Sequence, residues 1–208
     1  AVGNSQGEVS VWSVLDEERL QLFKAARGSV NCLAFSSDDR RLASGGTDGN
    51  LAIWDWQAPI AVANCRGSTY DVYAVAFSPD GMTLASGGRD HGHLWDVATG
   101  RSLLHLHTGD FVTGLAFSPD GRRLACSSLG GSGEGGVYVW ELVENRGIQT
   151  LRGLDTQVVQ LWFSEDGKSL AALSQNWRIA VWKLASDVPP SPCRLLHVFD
   201  APRGVAAL

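Results

Sequence analysis

Residues 75–97 read VAFSPDGMTLASGGRDHGHLWDV, and this stretch decides the fold. The apolar run VAF stops at Ser78-Pro79-Asp80-Gly81, where proline and Asp-Gly favour a tight hairpin turn. TLASGG (83–88) returns as a second strand, and GHLWDV (92–97) carries a tryptophan in a third.

The same wording recurs along the chain. Trp12, Trp54, Trp95, Trp140 and Trp182 sit in VSVWSV, LAIWDW, GHLWDV, VYVWEL and IAVWKL, at spacings of 42, 41, 45 and 42. LAFSSDD (33–39), LAFSPDG (115–121) and LWFSEDG (161–167) keep phase with the tryptophans. So do RLASGG (41–46), RLACSS (123–128) and SLAALS (169–174). A fourth strand follows each tryptophan, as in PIAVANC (59–65), SLLHLHT (102–108) and GIQTLRG (147–153). In VYVWEL, Val137 and Val139 point one way while Tyr138, Trp140 and Leu142 point the other. A strand apolar on both faces is buried on both, as in sheets stacked radially against two neighbours.

Composition bounds the function. The chain has 208 residues, 44% hydrophobic and 19% charged, which is ordinary globular composition; its 24 glycines and 8 tryptophans suit many short strands in series. A net charge of −5 has the wrong sign for nonspecific binding to nucleic acid or anionic membrane. No apolar run reaches the roughly 18 residues of a membrane span. Cys32, Cys65, Cys126 and Cys193 form no Cys-x-x-Cys pair, so free thiols in a reducing, cytoplasmic setting are expected rather than a zinc site.

These in-phase repeats resemble the WD-repeat family over essentially the whole chain. The Phe-Ser-Pro-Asp-Gly wording is similar to that of bacterial members. The resemblance implies an all-β propeller of four-stranded antiparallel blades, with about five blade units here, the first and last incomplete. The units run approximately 1–27, 28–66, 67–108, 109–152 and 153–200, with 201–208 starting a further blade. Aligned on the tryptophans, Ala1 falls opposite Ala43, and Val205–Leu208 fall opposite Val30–Leu33. Two arrangements stay open: a five-bladed ring closed between the chain ends, or a segment of a longer propeller.

The chain departs from the family pattern. Where the family often has Gly-His, it has Gly28-Ser29, Gly67-Ser68, Gly109-Asp110 and Gly153-Leu154. The turn aspartate survives as Asp48 and Asp90, with Gln6, Glu134 and Asn176 elsewhere. The family's His–Asp–Ser–Trp network therefore cannot form in its usual way. Stability is expected to lean on Trp12, Trp54, Trp95, Trp140 and Trp182, each worth about 2–3 kcal/mol when buried. Trp162 and Trp56 are also expected in the core.

Catalytic signatures are missing. Gly131-x-Gly133-x-x-Gly136 precedes a strand, not the helix that a phosphate-binding turn requires. His91 and His93 are too few to hold a metal, and His105 and His107 are expected as a solvated pair on a fourth strand. Asp38, Asp80, Asp120 and Asp166 belong to separate hairpin turns and do not converge. The expectation is a non-enzymatic scaffold or sensor, part of a larger regulatory protein or complex, needing no cofactor or metal. It binds a protein or peptide, not nucleic acid, and does not insert into a membrane. The alternatives are a structural subunit held through its outer strands, or a hydrolase-type enzyme at the channel mouth.

In the family, the loops entering strand one and those between strands two and three share a face, often the binding face. On this chain they are 27–29, 67–71, 108–111 and 153–157, with 47–50, 89–92, 128–136 and 175–178. They carry Trp177, Tyr70, Phe111, Arg27, Arg89 and His91. Aromatic and arginine side chains dominate binding energy. Trp177 stands out because the corresponding positions hold Gly7, Gly49 and His91.

Overall fold

A computed structural model of the chain describes residues 1–66, 70–89, 91–108, 111–129, 135–142, 148–185 and 193–201. Among these residues all regular structure is β-strand. Asp90, Glu134, the Gly67-Ser68 and Gly109-Asp110 pairs, Gly131 and Gly133, and Val205–Leu208 lie outside the described residues.

The chain divides into two compact units, Ala1–Val112 and Thr113–Leu208. The first opens with β1 (Val2–Gly3), β2 (Glu8–Trp12) and β3 (Arg19–Lys24), which form a three-stranded sheet. Next come β4 (Val30–Phe35), β5 (Arg41–Gly46), β6 (Leu51–Asp55) and β7 (Ile60–Asn64). The third sheet is β8 (Val72–Phe77), β9 (Thr83–Gly88), β10 (His91–Asp96) and β11 (Ser102–Leu106). Beyond them, β12 (Phe111–Phe117), β13 (Arg123–Leu129), β14 (Gly135–Glu141) and β15 (Ile148–Leu151) form the fourth. The second unit ends in β16 (Val158–Phe163), β17 (Ser169–Ser174), β18 (Arg178–Lys183) and β19 (Arg194–Asp200). Every sheet follows sequence order, and the strand pairs are antiparallel, as tight hairpins require. These are the up-and-down blades of a β-propeller.

In the four sheets after the first, the second strand is the most buried, lying inside its sheet with a neighbour on each side. In β5 and β9 every residue after the first is buried. Between strands three and four the register slips just before the tryptophan, at Val11/Trp12, Ile53/Trp54, Leu94/Trp95 and Val181/Trp182. Such a bulge increases the local twist.

Each described core lies between consecutive sheets. In the first unit, Trp54 packs on Val9, Val11, Ala25 and Leu42, with its ring 5.0 Å from Phe23. Trp95 packs in turn on Ala43, Leu51, Ile53, Ala63 and Cys65. In the second unit, Trp182 packs on Val137, Val139 and Leu151. A tryptophan face thus meets the aliphatic face of the sheet before it.

Two expectations are corrected. Trp12 is not core: it is 47% exposed, because among the described residues nothing covers its face of the first sheet. Val2, Leu20 and Leu22 are exposed in the same sheet. Trp162 is not a core filler either, being 41% exposed. The equivalent Ala34, Ala76 and Ala116 are only half-buried, so an indole at that position protrudes. Trp95 and Trp182 are fully buried, while Trp54, Trp56 and Trp140 are half-buried.

Candidate functional site

The hairpin between strands two and three turns through a left-handed residue. That residue is Gly7 (φ 78°), Gly49 (φ 72°), His91 (φ 87°) and Trp177 (φ 63°) in the four sheets where it is described. Glycine adopts this conformation freely, whereas a side chain pays roughly 1–2 kcal/mol. Two of the four tips therefore hold a large side chain against a backbone penalty, and Trp177 is 37% exposed.

The tips are held by different devices. Asp48 accepts the backbone N–H of Arg27 at 2.8 Å and that of Asn50 at 3.1 Å, which fixes the loop carrying Arg27. In the first sheet Gln6 does not replace the aspartate. Instead Asn4 Oδ1 accepts the N–H groups of Gln6 and Glu8, both at 2.9 Å. In the last sheet the acid has moved to the entry loop. Asn176 Nδ2 donates to Asp155 Oδ1 at 3.2 Å, and Arg178 Nη1 lies 3.5 Å from Asp155 Oδ2. Its own backbone N–H, Asn176 and Arg178 hold the Asp155 carboxyl below its ordinary range. Sequence reasoning missed Asp155; the signal was an Asn at the turn position beside an acid in the entry loop.

The family network survives only in its Ser–Trp leg. Trp54 Nε1 donates to Ser44 Oγ and Trp95 Nε1 to Ser86 Oγ, each at 2.8 Å. At the equivalent positions stand Cys126 and Ala172. Trp182 Nε1 turns to the carbonyl of Arg152 at 2.9 Å. The buried Trp140 Nε1 meets only the Cys126 sulfur, a weak acceptor, where Trp54 and Trp95 meet a serine hydroxyl. Burial pushes the Cys126 thiol up to about 12.

Within the first unit, the structure brings together two of the expected binding residues, Arg89 and Phe111. The Arg89 guanidinium lies over the Phe111 ring, 5.4 Å from its centre, as a cation–π pair. Arg89 N–H donates to the carbonyl of Asp71 at 3.3 Å, and Tyr73 donates to Asp71 Oδ2 at 3.2 Å. Burial first, and then the Asp71 charge, raise the Tyr73 phenol. Arg27, Tyr70, Arg89 and Phe111 are exposed and His91 is half-buried. Trp177 belongs to the second unit.

At the other end of the hairpins a Ser–Asp turn is repeated four times. Ser36, Ser78, Ser118 and Ser164 donate from Oγ to Asp38, Asp80, Asp120 and Asp166 at 2.6, 2.5, 2.6 and 2.6 Å. These bonds hold the four carboxyls below their ordinary range. They are structural caps, and an ionised, hydrogen-bonded carboxylate is poorly placed for proton transfer at neutral pH.

Comparison with known proteins agrees with this architecture. Residues 17–55, 60–96 and 100–141, over half of the chain, match the family model described as WD domain, G-beta repeat. The B-type cell cycle switch protein ccs52B of Medicago truncatula is 29% identical over 173 residues, covering 81% of this chain and 35% of that protein. The Target of rapamycin complex subunit LST8 of Saccharomyces cerevisiae is 26% identical over 173 residues, covering 79% of this chain and 56% of that one. The chain thus spans about a third to just over half the length of these relatives. A chain in the crystal structure of the Mitotic Checkpoint Complex superposes with a TM-score of 0.84 at 21% identity, covering 97% of this chain and 61% of that chain. Sqt1 from Chaetomium thermophilum gives a TM-score of 0.81 at 22% identity, covering 96% and 58%.

Proposed function

Because the chain belongs to the WD-repeat family, we propose that it is a non-catalytic scaffold module that binds a protein or peptide through its hairpin tips and entry loops. The observation that carries this reading is Trp177. A half-exposed indole is held in a left-handed backbone conformation where Gly7 and Gly49 stand in other sheets. Strain at a partly exposed turn position, where glycine would fit without it, points to a residue kept for a contact. Arg89 and Phe111 supply a second pair of the residue types that anchor interfaces. Relatives named as a Target of rapamycin complex subunit and a chain of the Mitotic Checkpoint Complex support membership of an assembly.

The same reading makes the chain non-enzymatic, because the recurring carboxylates are committed to turns. Its net charge of −5 disfavours nucleic acid and anionic membrane. Four free cysteines fit a reducing, cytoplasmic setting.

The test is affinity capture with quantitative mass spectrometry, comparing the native chain with Trp177→Gly, Phe111→Ala and an outer-strand control, Leu196→Asp. Proteins bound by the native chain and the control, and lost from the tip variants, support the reading. Equal capture by all four, or loss only in the control, refutes it and favours docking through the outer strands.

A further inference from the structure

The hairpin that carries Trp177 is joined to its entry loop by a bond that two other sheets share and by a clasp of its own. The shared bond runs from backbone to backbone. Gln175 N–H donates to the carbonyl of Gln157 at 2.9 Å, as Thr47 does to Ser29 at 3.0 Å and Arg89 to Asp71 at 3.3 Å. The clasp is Asp155. Its Oδ1 accepts Asn176 Nδ2 at 3.2 Å and its Oδ2 lies 3.5 Å from Arg178 Nη1, so one carboxylate holds the residues on both sides of Trp177. In the second sheet the clasp runs the other way. Asp48, on the hairpin, accepts the N–H of Arg27 in the entry loop, and the tip residue beside it is Gly49.

The clasp bears on the indole through its neighbours. Trp177 N–H donates to the carbonyl of Ser174 at 3.0 Å, and the Trp177 carbonyl accepts the N–H of Ala201 at 2.6 Å. These bonds hold the backbone, while the side chain stands 37% exposed. Arg178, next in sequence, has the charge and the length to lie across an indole face, where the ring attracts a cation. Asp155 and Asp200 draw its guanidinium to themselves instead, with Nη1 3.5 Å from the first carboxylate and Nε 3.9 Å from the second. Among the described residues it makes no cation–π contact with Trp177.

We propose that Asp155 is a positioning residue for partner binding, which holds the Trp177 hairpin to the entry loop and keeps Arg178 off the indole. The proposal rests on Trp177 being a contact residue. A side chain that is ordered before it binds has less freedom to lose on binding, so affinity rises without an added contact. Asp155 itself need not touch the partner. Asp155→Ala removes both bonds of the clasp. Asp155→Asn keeps an oxygen for Asn176 and loses the charge that holds Arg178, so it restores part of the effect.

The experiment uses the full chain and two readouts, with circular dichroism verifying that each variant is folded. The first readout needs no partner. The heteronuclear Overhauser effect of the Trp177 indole N–H, assigned by its loss in Trp177→Gly, falls in Asp155→Ala and falls less in Asp155→Asn. That of the Trp182 indole, bonded to the carbonyl of Arg152, stays at its native value, whereas a general loosening of the unit moves both. The second readout uses a short peptide from a displayed library, selected on the native chain and counter-selected against Trp177→Gly. Asp155→Ala weakens its binding about three- to tenfold, and Asp155→Asn weakens it less. An unchanged Trp177 signal in Asp155→Ala, or a peptide that binds this variant as tightly as the native chain, overturns the proposal and leaves the role of Trp177 standing. A selection that yields no peptide distinguishing the native chain from Trp177→Gly overturns both.

Discussion

Trp177 and Gly49 occupy the same corner of their hairpins, at φ 63° and φ 72°, yet one is the bulkiest residue and the other the smallest. A tryptophan there strains the backbone. Trp177→Gly is expected to leave stability within about 1 kcal/mol of the native chain, since the relieved strain offsets both the extra chain entropy of glycine and the lost partial burial of the indole. For a chain of this size that is a melting-temperature change of no more than about 4 °C, read by calorimetry. The same variant is expected to lose partner binding, so function falls where stability barely moves.

The indole–hydroxyl bond can be added and removed. Cys126→Ser offers Trp140 the acceptor that Ser44 and Ser86 give Trp54 and Trp95. Denaturant unfolding should then show a gain of about 0.5–1.5 kcal/mol. Ser86→Ala acts in the opposite sense. It strands the N–H of the fully buried Trp95, at a cost of about 1–3 kcal/mol.

Acid should loosen the hairpin turns. Asp38, Asp80, Asp120 and Asp166 each accept a serine hydroxyl, and also the N–H of Arg40, Met82, Arg122 and Lys168 at 3.1, 2.9, 3.0 and 3.0 Å. Their folded carboxyls titrate below the unfolded value of about 3.9. Their stabilisation is therefore complete above about pH 4 and is lost as the pH falls below it. The double variant Ser78→Ala, Ser118→Ala removes the largest cause of two shifts. Its stability should fall less steeply between about pH 4 and pH 2 than that of the native chain.

Arg123 is a clasp within the second unit. Its Nε donates to Glu141 Oε2 and its Nη2 to the carbonyl of Ala185, both at 2.9 Å. Arg123→Ala is expected to cost about 1–2 kcal/mol in urea unfolding. Arg41 holds the equivalent place in the first unit with one longer bond, 3.3 Å to the carbonyl of Val97, so Arg41→Ala should cost less.

What the sequence disclosed was whatever depends on local periodicity. The tryptophan pitch fixed the sheets, and the Pro-Asp-Gly wording fixed the hairpins. Aligning Trp177 with Gly7, Gly49 and His91 marked the position where all four prove left-handed. Features set by a neighbouring sheet stayed hidden. Trp12 and Trp54 read identically in sequence, but only Trp54 has a described sheet against it. The shift of the acid to Asp155 depends on which entry loop meets which hairpin. The facing of His93 and His105 depends on the β10–β11 register, which one bulge beside Trp95 displaces.

The most direct measurement is site-specific photo-crosslinking with p-benzoylphenylalanine placed at Gln175, beside the Trp177 tip, at Tyr70, and at Leu196 on the outer strand β19. All three positions are exposed. Covalent adducts to a partner protein should form from Gln175 and Tyr70 and be absent from Leu196. Adducts from Leu196 alone would contradict binding through the hairpin tips and place the partner on the outer strands.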